Sequence, residues 1–156
     1  MAAIACTIER ADFADLDALA PLFDDYRAFF AGPNLEESKR FLKARFERGD
    51  SVIFIARNGD AAIGFVQLYP LWSSWHCRRI WFLSDLYVSQ SSRNAGVGKR
   101  LVERIVAHAR ETNASSIMVE LPHREPHLKK FYARLGFHED ELFELARYQN
   151  REPPLR

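Results

Sequence analysis

The chain has 156 residues, 47% apolar and 28% charged, with 22 Lys and Arg against 21 Asp and Glu. That length suits one domain with a full core, and a formal net charge of +1, mixed along the chain, excludes nucleic acid and anionic membrane as expected partners. Cys6 and Cys77 are too few for a disulfide framework and fit no metal spacing, no apolar run reaches a membrane span, and charge arrives at Glu9 before a signal-peptide core forms, so a cytoplasmic protein is expected.

In chain order, Ile4 to Glu9 is a short strand candidate. Asp12 caps a helix whose apolar positions Leu16, Leu19, Ala20, Phe23, Tyr26, Phe29 and Phe30 keep helical spacing, with Pro21 expected to kink or split it. Gly32-Pro33 breaks the pattern, and a second helix starts at Asn34 or Leu35 and ends near Gly49-Asp50. Ser51 to Arg57 reads as a strand, Asn58-Gly59-Asp60 as a hairpin turn, and Ala61 to Tyr69 as its partner. Pro70 to Cys77 is a connection into a strand from Ile80 to Val88. From Val97 the period changes: Val97, Leu101, Val102, Ile105, Val106 and Ala109 share one helical face. Ser115 to Leu121 is another strand, and Pro126 opens a helix with the stripe Leu128, Phe131, Tyr132 and Leu135, stopped by Gly136. Phe137 and Leu142 to Tyr148 complete the pattern as a last strand pair, and 151–156 is expected to fray. The expected order is β-α-α-β-β-β-α-β-α-β-β over residues 1–150, an α/β domain with one mixed sheet covered by helices on both faces.

Between the strand ending at Val88 and the helix opening at Val97 lies Arg93-Asn94-Ala95-Gly96-Val97-Gly98, followed by Lys99. The first turn of a helix has N–H groups without intrahelical partners at the positive end of the helix dipole. Glycines allow positive φ and close approach of a ligand, and Arg93 and Lys99 add charge, so the loop suits a phosphate or pyrophosphate. An ordinary connecting turn would use the same glycines. A P-loop is excluded because Arg93 stands where its first glycine belongs and Arg100 where Ser or Thr follows the lysine. A dinucleotide fingerprint is excluded by Leu101 at its third glycine.

What remains, Arg-x-x-Gly-x-Gly after a strand and before a helix, resembles the acetyl-CoA pyrophosphate loop of the GNAT superfamily of N-acetyltransferases. A second element, Phe131-Tyr132-Ala133-Arg134-Leu135-Gly136-Phe137, is similar to that family's Leu/Phe-Tyr-x-x-x-Gly-Phe motif at about the same distance. The resemblance spans Ile4 to about Tyr148. It implies an acetyl-CoA-dependent N-acetyltransferase acting on a primary amine, either a small molecule or a lysine-like side chain. It also implies that the main chain of Leu86, Tyr87 and Val88 holds the pantetheine arm, that Arg93, Asn94, Ala95, Gly96, Val97, Gly98 and Lys99 hold the pyrophosphate, and that Tyr132 sits near the sulfur and protonates the leaving thiolate. A homodimer is expected by the same analogy. Glu125 departs from the pattern, standing where many members carry an Asn that helps hold the cofactor. A carboxylate cannot donate, so Glu125 either faces the substrate or caps the helix, and capping is the expectation.

An amine must lose a proton to attack a thioester. Asp85 is the first choice of base, because a mid-strand carboxylate is costly to bury without purpose, with Glu120 and Glu125 behind it. A structural carboxylate is the alternative. Alternation places Asp85 on the face of Leu83 and Tyr87 unless a bulge resets the register. The segment Leu83 to Val88 also resembles diamine and small histone-type acetyltransferases, whose acidic pair is here Ser84 and Asp85. Tyr26, Trp72, Trp75 and Trp81 are candidates for lining an acceptor pocket. His123 and His127 lack a third ligand and no metal is expected; His76, His108 and His138 are read as surface or cap residues. No spaced triad calls for an acyl-enzyme, so direct attack in a ternary complex is expected. The rival is a non-catalytic acyl-CoA-binding or regulatory module on the same fold, kept open by Ser84 and Glu125.

Overall fold

Local signals set most element ends. Residues 2–149 are described in the computed structural model. Asp12 accepts from Ala14 N at 2.8 Å, and its own N–H donates to Asp15, a capping box before α1 (Leu16–Ala28). Asn34 accepts from Glu37 N to start α2 (Leu35–Arg48), and Gly49 ends it in the left-handed region. The strands are β1 (Thr7–Arg10), β2 (Val52–Asn58), β3 (Ala61–Ser73), β4 (Arg78–Val88) and β5 (Ser116–Val119), in spatial order β1-β2-β3-β4-β5. The first four pair antiparallel and β5 runs parallel to β4, joined by the crossover helix α3 (Val97–Glu111); α4 (Pro126–Arg134) follows β5.

Helices cover both faces, as the mixed α/β pattern implies. On one face α3 lays Val97, Leu101, Val102 and Ile105 against Phe54, Val66, Leu68, Trp81 and Leu83. On the other, Leu19, Ala20, Phe23 and Leu42 of α1 and α2 pack on Ile53, Ile55 and Phe65. Fully buried side chains such as Phe54, Phe65 and Leu101 each contribute roughly 1.5–3 kcal/mol of transfer free energy.

Several expectations are corrected. Pro21 does not split α1, because only one main-chain donor is lost near the helix start. Strand β3 runs through Pro70 to Ser73 rather than ending at Tyr69: β2 stops pairing at Val52–Leu68, so the missing N–H of Pro70 breaks no ladder bond on that side. The closing strand pair is not formed. Asp140 Oδ1 accepts from the N–H groups of Leu142 and Phe143 at 2.8 and 3.1 Å, which turns the chain locally in competition with a ladder. His108 is no surface residue but lies between Phe54 and Trp81, where burial first, then Arg10 and Arg104, lowers its pKa. The tail expected to fray lies outside the described residues.

Candidate active site

The sheet opens between β4 and β5. Their parallel pairing covers Ile80–Ser116 to Leu83–Val119 and stops there, so Ser84 to Val88 have no strand partner on that side. Opposite β3 the register slips between Gln67 and Leu68: Gln67 faces Asp85 while Leu68 faces Leu83, which leaves Ser84 as the extra residue of a bulge. The bulge reverses the facing of all that follows. Leu83, Leu86 and Val88 pack on the α3 side, whereas Asp85 and Tyr87 turn to the α1 side. Asp85 therefore shares a face with Tyr87 but not with Leu83.

At the far end of this opening, α3 begins. Asn94 (φ 59°) and Gly96 (φ 82°) are both left-handed, which curls the loop tightly into the start of α3. Among the described residues no side chain caps α3 and no acid occupies its first turn, which leaves its first N–H donors and the positive dipole end for a ligand. Ala95 and Val97 are buried, so they offer main chain only. Gly98 sits beneath Phe131, whose Cζ would lie 3.6 Å from an added Cβ. Arg93 donates from Nε to the Val88 carbonyl at 3.0 Å, with its guanidinium 5.5 Å from the Tyr87 ring centre; exposed Lys99 is 3.7 Å from Glu103. A phosphate-bearing group fits this donor set.

On the α1 face, Asp85 is 8% exposed. Gln67 Nε2 donates to Oδ2 at 2.7 Å and Ser84 Oγ to Oδ1 at 3.2 Å, while the Tyr26 hydroxyl donates to Ser84 O at 3.5 Å beside the carboxylate. Burial raises the pKa of Asp85, and these hydrogen bonds only partly offset it. Gln67 is fully buried, and its single side-chain oxygen, Oε1, has no partner among the described residues. Burial and the nearby Asp85 push Tyr69 up to about 12 and raise Tyr26 further. A carboxylate whose proton affinity is raised in this way can act as a base.

Tyr132 closes the opening from the α3 side. The C-terminus of α4 forms a Schellman cap: Phe137 N donates to Tyr132 O, and Gly136 N to Ala133 O, each at 3.1 Å, with Gly136 at φ 91°. The Phe137 ring then stacks edge-on against Tyr132 at 5.4 Å, with Phe131 on its other side at 5.1 Å. The Tyr-x-x-x-Gly-Phe spacing thus holds one phenol in place. Tyr132 is 5% exposed and burial raises its pKa, so the phenol keeps its proton throughout the physiological range.

The structure brings Tyr26, Asp85, the Leu86–Val88 main chain, the Arg93–Lys99 loop and Tyr132 to this opening. It does not bring the tryptophans. Trp72 pairs with Arg79, six positions along β4 from Asp85 and about 20 Å away. Trp75 lies in the β3–β4 turn against Phe143, and Trp81 is core. Glu125 occupies the N-cap of α4, but its side chain makes no cap bond and lies exposed 3.6 Å from His127; Glu120 pairs with Arg147. Its geometry therefore does not realise the expected cap. Two groups went unread in the sequence. Gln67 is signalled only by an amide inside an apolar strand, and Phe29 and Phe30, read only as the end of the α1 stripe, by their place beside the break at Gly32-Pro33.

Residues 19–137 match the model of the acetyltransferase (GNAT) family. The chain is 37% identical over 137 residues to the uncharacterized N-acetyltransferase YhfO of Bacillus subtilis (strain 168), covering 87% of this chain and 92% of that one. It superposes on the crystal structure of a probable acetyltransferase with a TM-score of 0.88 at 35% identity, covering 94% and 99%. Aminoglycoside N-acetyltransferase AAC(6')-Iy in complex with CoA shares the fold, with a TM-score of 0.77 at 19% identity, covering 94% and 95%. With the strand opening, the uncapped α3 and the capped Tyr132 in their places, the chain belongs to the GNAT family of acetyltransferases.

Proposed function

We propose that this acetyltransferase moves the acetyl group of acetyl-CoA to a primary amine, of a small molecule or a lysine-like side chain, by direct attack in a ternary complex. The observation that carries the reading is the opening past Leu83–Val119, with Asp85 on one face and Tyr132 on the other. The acyl donor is acetyl-CoA. Main-chain groups of Leu86, Tyr87 and Val88 hold its pantetheine arm, and the Arg93–Lys99 loop with the first turn of α3 holds the diphosphate.

Asp85 takes the proton of the incoming ammonium, directly or through a water, because burial makes its charged form the better base. As the C–N bond forms and the C–S bond breaks, Tyr132 gives its proton to the sulfur. Its buried phenol is suited to that, since it is fully protonated before the step. Tyr26, beside Asp85, lies toward the acceptor. The protein is a cytoplasmic homodimer built on one domain over residues 1–150, and exposed Trp72, Trp75 and Phe143 support the self-association.

The test is Tyr132→Phe at saturating acetyl-CoA. Turnover is expected to fall by about 10²–10⁴-fold, while calorimetric CoA affinity stays at the parent value. Turnover equal to the parent's would remove Tyr132 as the acid.

A further inference from the structure

The end of α1 carries a feature that family membership does not explain. Phe29 is 64% exposed and Phe30 47% exposed, although both are large and apolar. They are not scattered. Phe30 meets Tyr26 at 5.3 Å, Tyr26 meets Tyr87 at 6.4 Å, and Phe29 meets Tyr87 at 6.5 Å, so four rings form a continuous wall from solvent down to Asp85. An exposed aromatic surface leading to a buried carboxylate is a binding wall with one charged end.

Charge decides what the wall accepts. Asp85 is the one carboxylate among the described residues at its base. Of the other acids on the packed elements, Asp24 accepts from Asn34 N and Ser38 Oγ and Asp50 pairs with Arg45, while Asp25 next to Tyr26 is exposed to solvent. The distal ammonium of a polyamine would lie against apolar Phe29 and Phe30 with no carboxylate of the wall to meet it. An ammonium fits over aromatic faces beside one carboxylate, and a hydrocarbon or aryl arm fits along Phe29 and Phe30.

We infer that the acceptor is a primary monoamine with an aromatic or apolar arm, its nitrogen at Asp85 and its arm on the Phe29–Phe30–Tyr87 wall, and that polyamines are poor substrates. This rests on the reading of the opening as the transfer site. The reaction is the one already written: the amine nitrogen gains the acetyl group and loses a proton, and the donor's sulfur leaves as a thiol.

The experiment compares 2-phenylethylamine, n-butylamine, putrescine and spermidine by thiol release at saturating acetyl-CoA, in the parent and in Phe29→Ala and Phe30→Ala. The expected kcat/KM for 2-phenylethylamine is at least tenfold that for putrescine or spermidine. Each variant should raise its KM about five- to tenfold with kcat within twofold and the acetyl-CoA KM unchanged. Putrescine or spermidine turned over as well as 2-phenylethylamine, or an unchanged KM in both variants, overturns the inference. Calorimetry of 2-phenylethylamine on CoA-saturated protein separates the two layers. Binding that weakens in Phe29→Ala without turnover in the parent keeps the specificity and removes the catalytic reading; neither binding nor turnover removes the inference.

Discussion

Asp85 ties stability to chemistry through one proton. Its ordinary pKa is 3.8 and burial raises it in the folded chain. Above 3.8 the unfolded chain has lost that proton while the folded chain still holds it, so the folded state binds more protons and stability falls as pH rises through the window up to the raised value. Asp85→Asn removes that cost. Without any flip the new amide oxygen still accepts from Gln67 Nε2 and its nitrogen can donate to Ser84 Oγ, so no donor is stranded. Thermal unfolding at pH 7 is expected to show a higher midpoint for Asp85→Asn than for the parent, the two converging as pH is lowered toward 3.8. Turnover should fall more than tenfold in the same variant. In the parent, kcat/KM should decline on the acid side at a pH above the ordinary carboxylate range. A midpoint below the parent's at pH 7 would mean that the carboxylate is structural.

At the scale of elements, β3 leaves no room at Gly64 for a side chain beside β4. A Cβ added at Gly64 would stand 2.8 Å from the Tyr87 carbonyl oxygen and 3.4 Å from Leu101 and Val88. That oxygen belongs to the backbone, so the strands must part to admit a methyl group. Gly64→Ala is expected to lower stability by about 1–3 kcal/mol in urea unfolding and to raise the acetyl-CoA KM, because it displaces the stretch of β4 that lines the opening. Stability and KM both at the parent's values would show that the strands yield freely. Much at this scale was legible beforehand: Asp12, Asn34, Gly49, Pro126 and Gly136 mark helix ends by local hydrogen bonding, which needs no distant partner. The bulge at Ser84 was not legible. It exists because Gln67 and Leu68 face residues on another strand two apart, and no local pattern in Leu83 to Val88 records that pairing. The absent closing strands fail for the converse reason, since apolar residues from Leu142 to Tyr148 have β propensity but no ladder is supplied.

For the whole molecule, a second exposed apolar patch lies away from the opening. Trp75, 72% exposed, stacks with Phe143 at 5.2 Å, and Trp72, 70% exposed, lies under Arg79. A homodimer using this surface predicts a light-scattering mass of twice the 18.1 kDa of one chain, shifting toward one chain in Trp75→Ser. A parent mass of one chain at micromolar concentration would show that these aromatics serve no self-association.

The sequence by itself determined the alternation of strands and helices, the anion-suited start of α3 and the Tyr132–Gly136–Phe137 cap, because each rests on interactions a few residues long. Only the tertiary structure decided that Asp85 turns toward Tyr26 and Gln67, that β4 parts from β5 after Leu83, and that Phe29 and Phe30 wall the result while Trp72 and Trp75 stand apart. Those outcomes are fixed by register and packing between segments distant in the chain, where one slipped residue reverses which side chain faces which partner.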